Sequence, residues 1–189
     1  MTVAAVLLAG GSGSRFEGDT HKLLAVLDGR PLALISLLSA LEADLDEVIV
    51  VTGAMDVRSE LGTAWPDGVT VLPNPRWSGG MATSLNVAVD HAMAQGHEAI
   101  VVGLADQPFV TPQAWRALAA ADVPIGVADY DGVRRNPVRL ASSVWALLPT
   151  TGDEGARTLM KVQPELVYPI ACTGSHDDID TVEDLRRWS

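Results

Sequence analysis

The run Val3–Leu8, followed by Ala9-Gly10-Gly11-Ser12-Gly13-Ser14-Arg15, constrains this chain more than any other stretch. Six consecutive apolar residues are too few for a free-standing helix. They predict a strand buried on both faces, as in a parallel sheet. The run stops in three glycines and two serines, and Arg15 and then Lys22 follow. Glycines just past such a strand let the backbone come close to a ligand, and exposed N–H groups followed by cations suit a phosphate. An ordinary strand-to-helix turn uses the same residue types. The rest of the chain has to separate the two readings.

Further short apolar runs stand at Val48–Val51, near Val69–Leu72 and at Ala99–Leu104. Helical spacing occupies the gaps: Leu32–Leu41 behind Pro31, a weaker segment around Val57–Leu61, then Met81–Ala94 and Pro112–Ala120. Strand and helix alternating in this way indicate βαβ units. The expected fold is therefore a Rossmann-like α/β domain, with a mostly parallel central sheet and helices on both faces. Val123–Val127 and Val138–Leu140 flank Asp129-Tyr130-Asp131-Gly132, a turn signal for two more strands of mixed direction. Ser142–Leu148 and Glu154–Lys161 read as helical, and Leu166–Ile170 as a last strand. Thr181 with Asp184 three residues on forms a capping box for a terminal helix ending at Trp188. No repeat or low-complexity linker interrupts the pattern. At 189 residues the chain reads as one domain, 1–189.

The composition removes several function classes. A formal net charge of −11 argues against a nucleic-acid or anionic-membrane surface, which calls for a basic face. It still permits a local positive site for a small anion. The single Cys172 excludes an internal disulfide framework and a multi-cysteine zinc site. No leader pattern or membrane-length apolar stretch is present, so a cytoplasmic location without membrane association is expected.

Known glycine fingerprints fail one by one. In G-x-G-x-x-G, Gly11 and Gly13 fit but Phe16 stands where the third glycine belongs. No Gly-Lys-Ser/Thr, H-E-x-x-H or G-x-S-x-G occurs, and His21, His91, His97 and His176 are scattered. What survives is the loop Gly10–Arg15 with Lys22, and two carboxylates, Asp106 and Asp180. Asp106 closes the most apolar run, where α/β sheets bind ligands. Thr111-Pro112 already supplies the cap and first position of the next helix, which leaves Asp106 spare. Gly79-Gly80, with Thr83 and Ser84 just inside a helix, offers a second set of donors. A hard divalent cation takes one or two carboxylates plus substrate phosphates. That combination suits phosphoryl or nucleotidyl transfer, in which the protein positions groups and neutralises charge.

Leu8-Ala9-Gly10-Gly11-x-x-x-Arg15, with Lys22-Leu23-Leu24, resembles the signature of the MobA-like nucleotidyltransferases. Asn74-Pro75-x-Trp77-x-x-Gly80-Met81-x-x-Ser84-Leu85 is similar to the molybdenum cofactor cytidylyltransferase branch. So are Asp106-Gln107-Pro108, Asn136-Pro137-Val138, Gly152-Asp153-x-Gly155-Ala156-Arg157 and Asp178-Ile179-Asp180-Thr181. The resemblance implies Mg²⁺-dependent transfer of CMP from CTP to the terminal phosphate of molybdopterin, with release of pyrophosphate. It also implies roles. Leu8, Ala9, Gly10, Gly11, Arg15, Lys22, Gly80, Ser84 and Asp106 would contact the nucleotide. Lys22, Arg15 and Asp106 would be catalytic, and Asp106 with Asp180 would hold Mg²⁺. A molybdoenzyme or insertion chaperone would be a further partner. Gly10 departs from the pattern, since the cytidylyl branch usually carries alanine there and the guanylyl branch glycine. GTP-dependent transfer, another phosphorylated acceptor and a non-catalytic cofactor carrier stay open. A nicotinamide-dependent oxidoreductase is disfavoured by the missing third glycine.

Overall fold

Every residue of β1 (Val3–Ala9) is buried, and alternate residues face opposite cores. Val3, Ala5, Leu7 and Ala9 pack into one hydrophobic cluster, whereas Ala4, Val6 and Leu8 pack into another. A strand read as apolar throughout therefore has two apolar layers to satisfy. This computed structural model describes residues 1–14, 16–18 and 20–188.

A small hairpin, β2 (Val26–Leu27) with β3 (Arg30–Pro31), turns over Asp28-Gly29 and leads into α1 (Leu32–Glu42). Then follow β4 (Glu47–Thr52), α2 (Val57–Leu61), β5 (Val69–Pro73), α3 (Met81–Gln95), β6 (Ala99–Leu104) and α4 (Pro112–Ala120). The chain continues through β7 (Ile125–Tyr130), β8 (Val133–Ala141), α5 (Arg157–Val162), β9 (Val167–Ala171) and α6 (Val182–Trp188). The main sheet has the order β5-β4-β1-β6-β8-β7-β9. Only β8 runs against the others: β6–β8 and β7–β8 pair antiparallel, and every other pair is parallel. Buried residues of α1, α2 and α4 cover one face, and those of α3 and α5 cover the other.

Two segments differ from the sequence expectation. Ser142–Leu147 forms 3-10 turns rather than an α-helix. The two forms share nearly the same i, i+3 apolar spacing, so periodicity does not separate them. The helix expected from Glu154 starts at Arg157, because Gly152 and Gly155 take positive φ angles and hold the preceding residues as a loop. The cap expectations hold. The Thr111 hydroxyl accepts from Ala114 N–H, while Asp184 and Thr181 each accept from the other's backbone N–H. Among the described residues no helix is long and apolar enough to cross a membrane.

Candidate active site

The chain leaves β1 toward β4 on one side and returns through β6 on the other, so the order of strands reverses between β1 and β6. Open α/β sheets bind ligands at the carboxyl ends of strands beside such a reversal. A cavity of about 700 Å³ lies there, lined by Leu8, Ala9, Gly10 and Gly11 from β1 and its loop, and by Leu104 and Asp106 from β6. Its volume is in the range of small-molecule sites.

Lys22 lies on the floor of this cavity, in the short 3-10 turn Lys22–Leu24. Its Nζ donates to Asp106 Oδ2 at 2.6 Å and to Asp180 Oδ1 at 2.8 Å. The three side chains are 12%, 16% and 27% exposed, so solvent screens the pairs only in part. Burial alone would lower the lysine pKa. The charges and hydrogen bonds of Asp106 and then Asp180 outweigh it and raise the ammonium above its ordinary value. Asp178 also lines the cavity, and desolvation followed by the charges of Asp106 and Asp180 pushes its carboxyl above the usual range. Three carboxylates thus face one ammonium, and the cluster keeps a negative excess.

The chemistry of these donors fits a hard cation. Among the described residues Asp106 Oδ1 is buried without a hydrogen-bond partner, although Oδ2 of the same group is bound to Lys22. A buried carboxylate oxygen with nothing to accept is costly unless a ligand completes it. Among the described residues no three His, Cys, Asp or Glu form a ready metal cage. Two carboxylates would hold a cation only together with ligand oxygens, as expected for an ion that arrives with phosphates.

The opposite wall is built by Asn74, a buried polar residue at the end of β5. Its Nδ2 donates to Thr83 Oγ1 at 2.8 Å and Ser84 Oγ at 2.9 Å, and its Oδ1 accepts from Arg76 N–H at 2.9 Å. This fixes the first turn of α3. Thr83 is turned inward and donates to backbone carbonyls. Ser84 lines the cavity, and its hydroxyl proton has no acceptor among the described residues. Gly80 lines the cavity too, with φ +98°, and a Cβ there would overlap the Gly152 carbonyl. Gly152 O accepts from Ala82 N–H at 2.9 Å, and Gly152 N–H donates to Gly79 O at 3.0 Å. The two glycine-bearing motifs, far apart in sequence, therefore close on each other through backbone contacts. Of the first backbone donors of α3, the Ala82 N–H is taken by Gly152 O and the Thr83 N–H by Gly80 O.

Of the residues expected from sequence, Leu8, Ala9, Gly10, Gly11, Lys22, Gly80, Ser84, Asp106 and Asp180 all line this one cavity. Arg15 lies outside the described residues. Sequence reasoning had no role for His21. Its Nδ1 accepts from Leu23 N–H, which leaves Nε2–H to donate to Gly11 O at 3.3 Å and brace the glycine loop. Trp77, Asn136, Asp153, Arg157 and Met160 also line the cavity. The first four had membership of the longer motifs as their only sequence signal, and Met160 only its place in the helical segment 154–161.

Residues 5–167 match the MobA-like NTP transferase domain. The purine catabolism protein PucB of Bacillus subtilis is 31% identical, over 95% of this chain and 92% of its own length. Among solved structures, Rv0371c from Mycobacterium tuberculosis H37Rv superposes with a TM-score of 0.78 at 28% identity, covering 99% of this chain and 97% of that one. A nucleotidyl transferase from Methanothermobacter thermautotroptrophicus shares the fold with a TM-score of 0.83 at 24% identity, over 98% and 95% of the two chains.

Proposed function

Since this chain belongs to the MobA-like NTP transferase family, we propose that its cavity moves CMP from CTP to the terminal phosphate of molybdopterin. The observation that carries the reading is Lys22 bridging Asp106 and Asp180 beneath a glycine loop at the β1/β6 reversal. That arrangement supplies cationic charge, paired carboxylates and backbone donors within one cavity.

In this reading a terminal phosphate oxygen of the acceptor attacks the α-phosphorus of CTP. A new P–O bond forms, the bond between the α-phosphorus and the bridging oxygen breaks, and pyrophosphate leaves. The acceptor phosphate is the nucleophile, so no serine or cysteine nucleophile is needed. The glycine loop, braced by His21, lets the triphosphate approach the backbone closely. Lys22 stabilises charge that grows around the α-phosphate in the transition state. Ser84 donates its unclaimed proton to a nucleotide oxygen. Asp106 and Asp180 would hold Mg²⁺, which when bound neutralises phosphate charge. Lys22 shares these carboxylates and lines the same cavity, where its ammonium would meet the phosphates.

The test is release of pyrophosphate by purified protein with Mg²⁺, CTP and molybdopterin, against a panel of other phosphorylated acceptors. Release with molybdopterin and CTP supports the reading, and none with any acceptor or nucleotide sinks it. Tight cofactor binding without turnover would instead identify a carrier. One observation favours GTP as a second reading. Gly10 places no Cβ beside Ser84, and a Cβ there would stand 3.0 Å from Ser84 Oγ, so this chain keeps room that an alanine would fill.

A further inference from the structure

Between β9 and α6 the chain runs as a strap beside residues 106–111, the loop that follows β6. The two stretches are antiparallel. Thr111 Oγ1 donates to Thr173 O at 3.0 Å, Ser175 N–H to Phe109 O at 3.3 Å, and Ile179 N–H to Asp106 O at 3.1 Å. A single antiparallel bridge pairs Val110 with Gly174. Gly174 has φ +102°, and a Cβ there would stand 2.7 Å from Thr111 Cγ2 and 2.9 Å from Phe109 O. Glycine is what lets the strap lie this close.

Near its end the strap carries Ile179 between Asp178 and Asp180, which both line the cavity. The Ile179 side chain is 0% exposed and is turned into a small apolar cluster with Ala25, Leu27 and Leu32. Those three belong to the stretch directly after Lys22, from the end of its 3-10 turn to the first residue of α1. Leu185 of α6 and Phe109 of the loop pack against the same cluster. Ile179 therefore touches every part of the chain that supplies the charged group. Its backbone bonds to Asp106, its side chain packs just beyond Lys22, and its carbonyl carbon carries Asp180. Among the described residues, nothing from 173–188 belongs to either of the two sheet cores. The seat of Asp180 is thus set apart from the packing that holds the sheet.

We propose that Ile179 is a positioning residue, whose side chain in this socket holds the Asp180 carboxylate within reach of Lys22 and of a shared cation. This rests on reading the cavity as the nucleotide and metal site of a transferase. A metal ligand has to be kept within about half an ångström of its productive place by packing behind it. A fully buried, branched neighbour supplies that, because it stops the backbone from sliding or turning. Asp184 steadies the other side, where its Oδ2 accepts from Asp180 N–H at 3.1 Å. The socket side of Asp180 depends on Ile179.

The probe is Mg²⁺, titrated into protein at a fixed, saturating concentration of CTP and followed by thermal unfolding. Ile179→Ala should raise the Mg²⁺ concentration at half-maximal stabilisation by about tenfold, the usual cost of losing support behind a metal ligand. Ile179→Val, which keeps the branch and most of the volume, should bring the requirement back to within about twofold of wild type. The decisive comparison uses Asp180→Asn. With that carboxylate gone, adding Ile179→Ala should raise the requirement by less than about twofold further, whereas a merely structural loss adds in full. Ligand-free melting temperatures check the fold. If Ile179→Ala does not fold, Gly174→Ala, which displaces the strap from its other end, carries the same comparison. The inference is overturned if Ile179→Ala titrates like wild type, if valine restores nothing, or if the effect adds in full to that of Asp180→Asn. Failure of Mg²⁺ with CTP or GTP to stabilise wild type would sink the nucleotide reading, and this inference with it, before any variant is compared.

Discussion

Lys22 and Asp106 stand 84 residues apart in sequence, yet their charged atoms meet at 2.6 Å. The ammonium also reaches Asp180, 158 residues further along the chain. One side chain thereby ties the loop after β1 to the end of β6 and to the segment before α6. The consequence is a shared demand: in the proposed reading a divalent cation would use the same two carboxylates as Lys22.

Lys22→Ala should lower the rate of pyrophosphate release by about 10²–10³-fold, the usual cost of losing one preorganised charge-stabilising group. It also leaves Asp106 and Asp180 without their ammonium. The partly exposed site limits the resulting loss of stability to about 1–2 kcal/mol. Mg²⁺ without nucleotide should raise the melting temperature of the variant more than that of wild type, and equal shifts would refute the shared-ligand picture. The raised lysine pKa gives the sign of the alkaline limb. Its stabilisation is complete below 10.5 and is lost only as pH rises through the higher folded value.

Gly10→Ala sets a Cβ against Ser84 Oγ, which Asn74 holds from behind. The hydroxyl must move by a few tenths of an ångström or give up its bond to Asn74. Stability should fall by about 1 kcal/mol, and Ser84→Ala in the same chain should recover most of it, giving a coupling of about 0.5–1.5 kcal/mol in a double-mutant cycle. Nucleotide titrations of the single variant should show CTP gaining over GTP. An unchanged ratio would mean that Gly10 does not read the base.

Gly80→Ala tests the closure of the two glycine motifs. The new side chain meets the Gly152 backbone at a φ of +98°, so there is neither space nor an allowed conformation for it. A loss of about 2–3 kcal/mol is expected in urea unfolding, together with weaker nucleotide binding. A variant that unfolds like wild type would show that the two loops are not locked together.

At the other end of β4, the Glu47 carboxylate accepts from Thr70 at 2.7 Å, His97 at 2.8 Å and His91 at 2.9 Å. Burial alone would raise its pKa, but these bonds together hold it below the usual value of 4.5. A depressed carboxylate stabilises the fold above its unfolded pKa, and that contribution drains away as pH falls through the folded one. Glu47→Gln should therefore cost about 1–2 kcal/mol at neutral pH and flatten the decline in stability below about pH 4.5. Urea midpoints measured from pH 3 to pH 7 supply the comparison.

The strands and caps were legible in the sequence because each follows from a local pattern. Val3–Ala9 is apolar at every position, and Thr111-Pro112 is a helix start wherever it falls. Asp106 was legible because a cap was already in place, which left the carboxylate without a local task. The link from Lys22 to both aspartates was not, since nothing local encodes which distant charges will meet. The gathering of Arg134, Arg135 and Arg157 at one smaller cavity was not legible either: the first two are placed by a register shift near Asn136, which a pattern with period two does not contain, and Arg157 comes from α5. The 3-10 turns at Ser142–Leu147 escaped because their spacing imitates an α-helix.

The lone reversed strand, β8, gives the molecule a division of labour. The main-sheet strands before it all run in one direction, and that part of the chain carries the glycine loop, Lys22 and Asp106. The hairpin that it forms with β7 carries Arg134 and Arg135, and among the described residues the 133–135 part of β8 pairs with β7 alone, while β7 itself continues the sheet to β9. Substitutions around residue 134 thus fall on a stretch of chain separate from the glycine loop, Lys22 and Asp106, and should leave the geometry of those three unchanged.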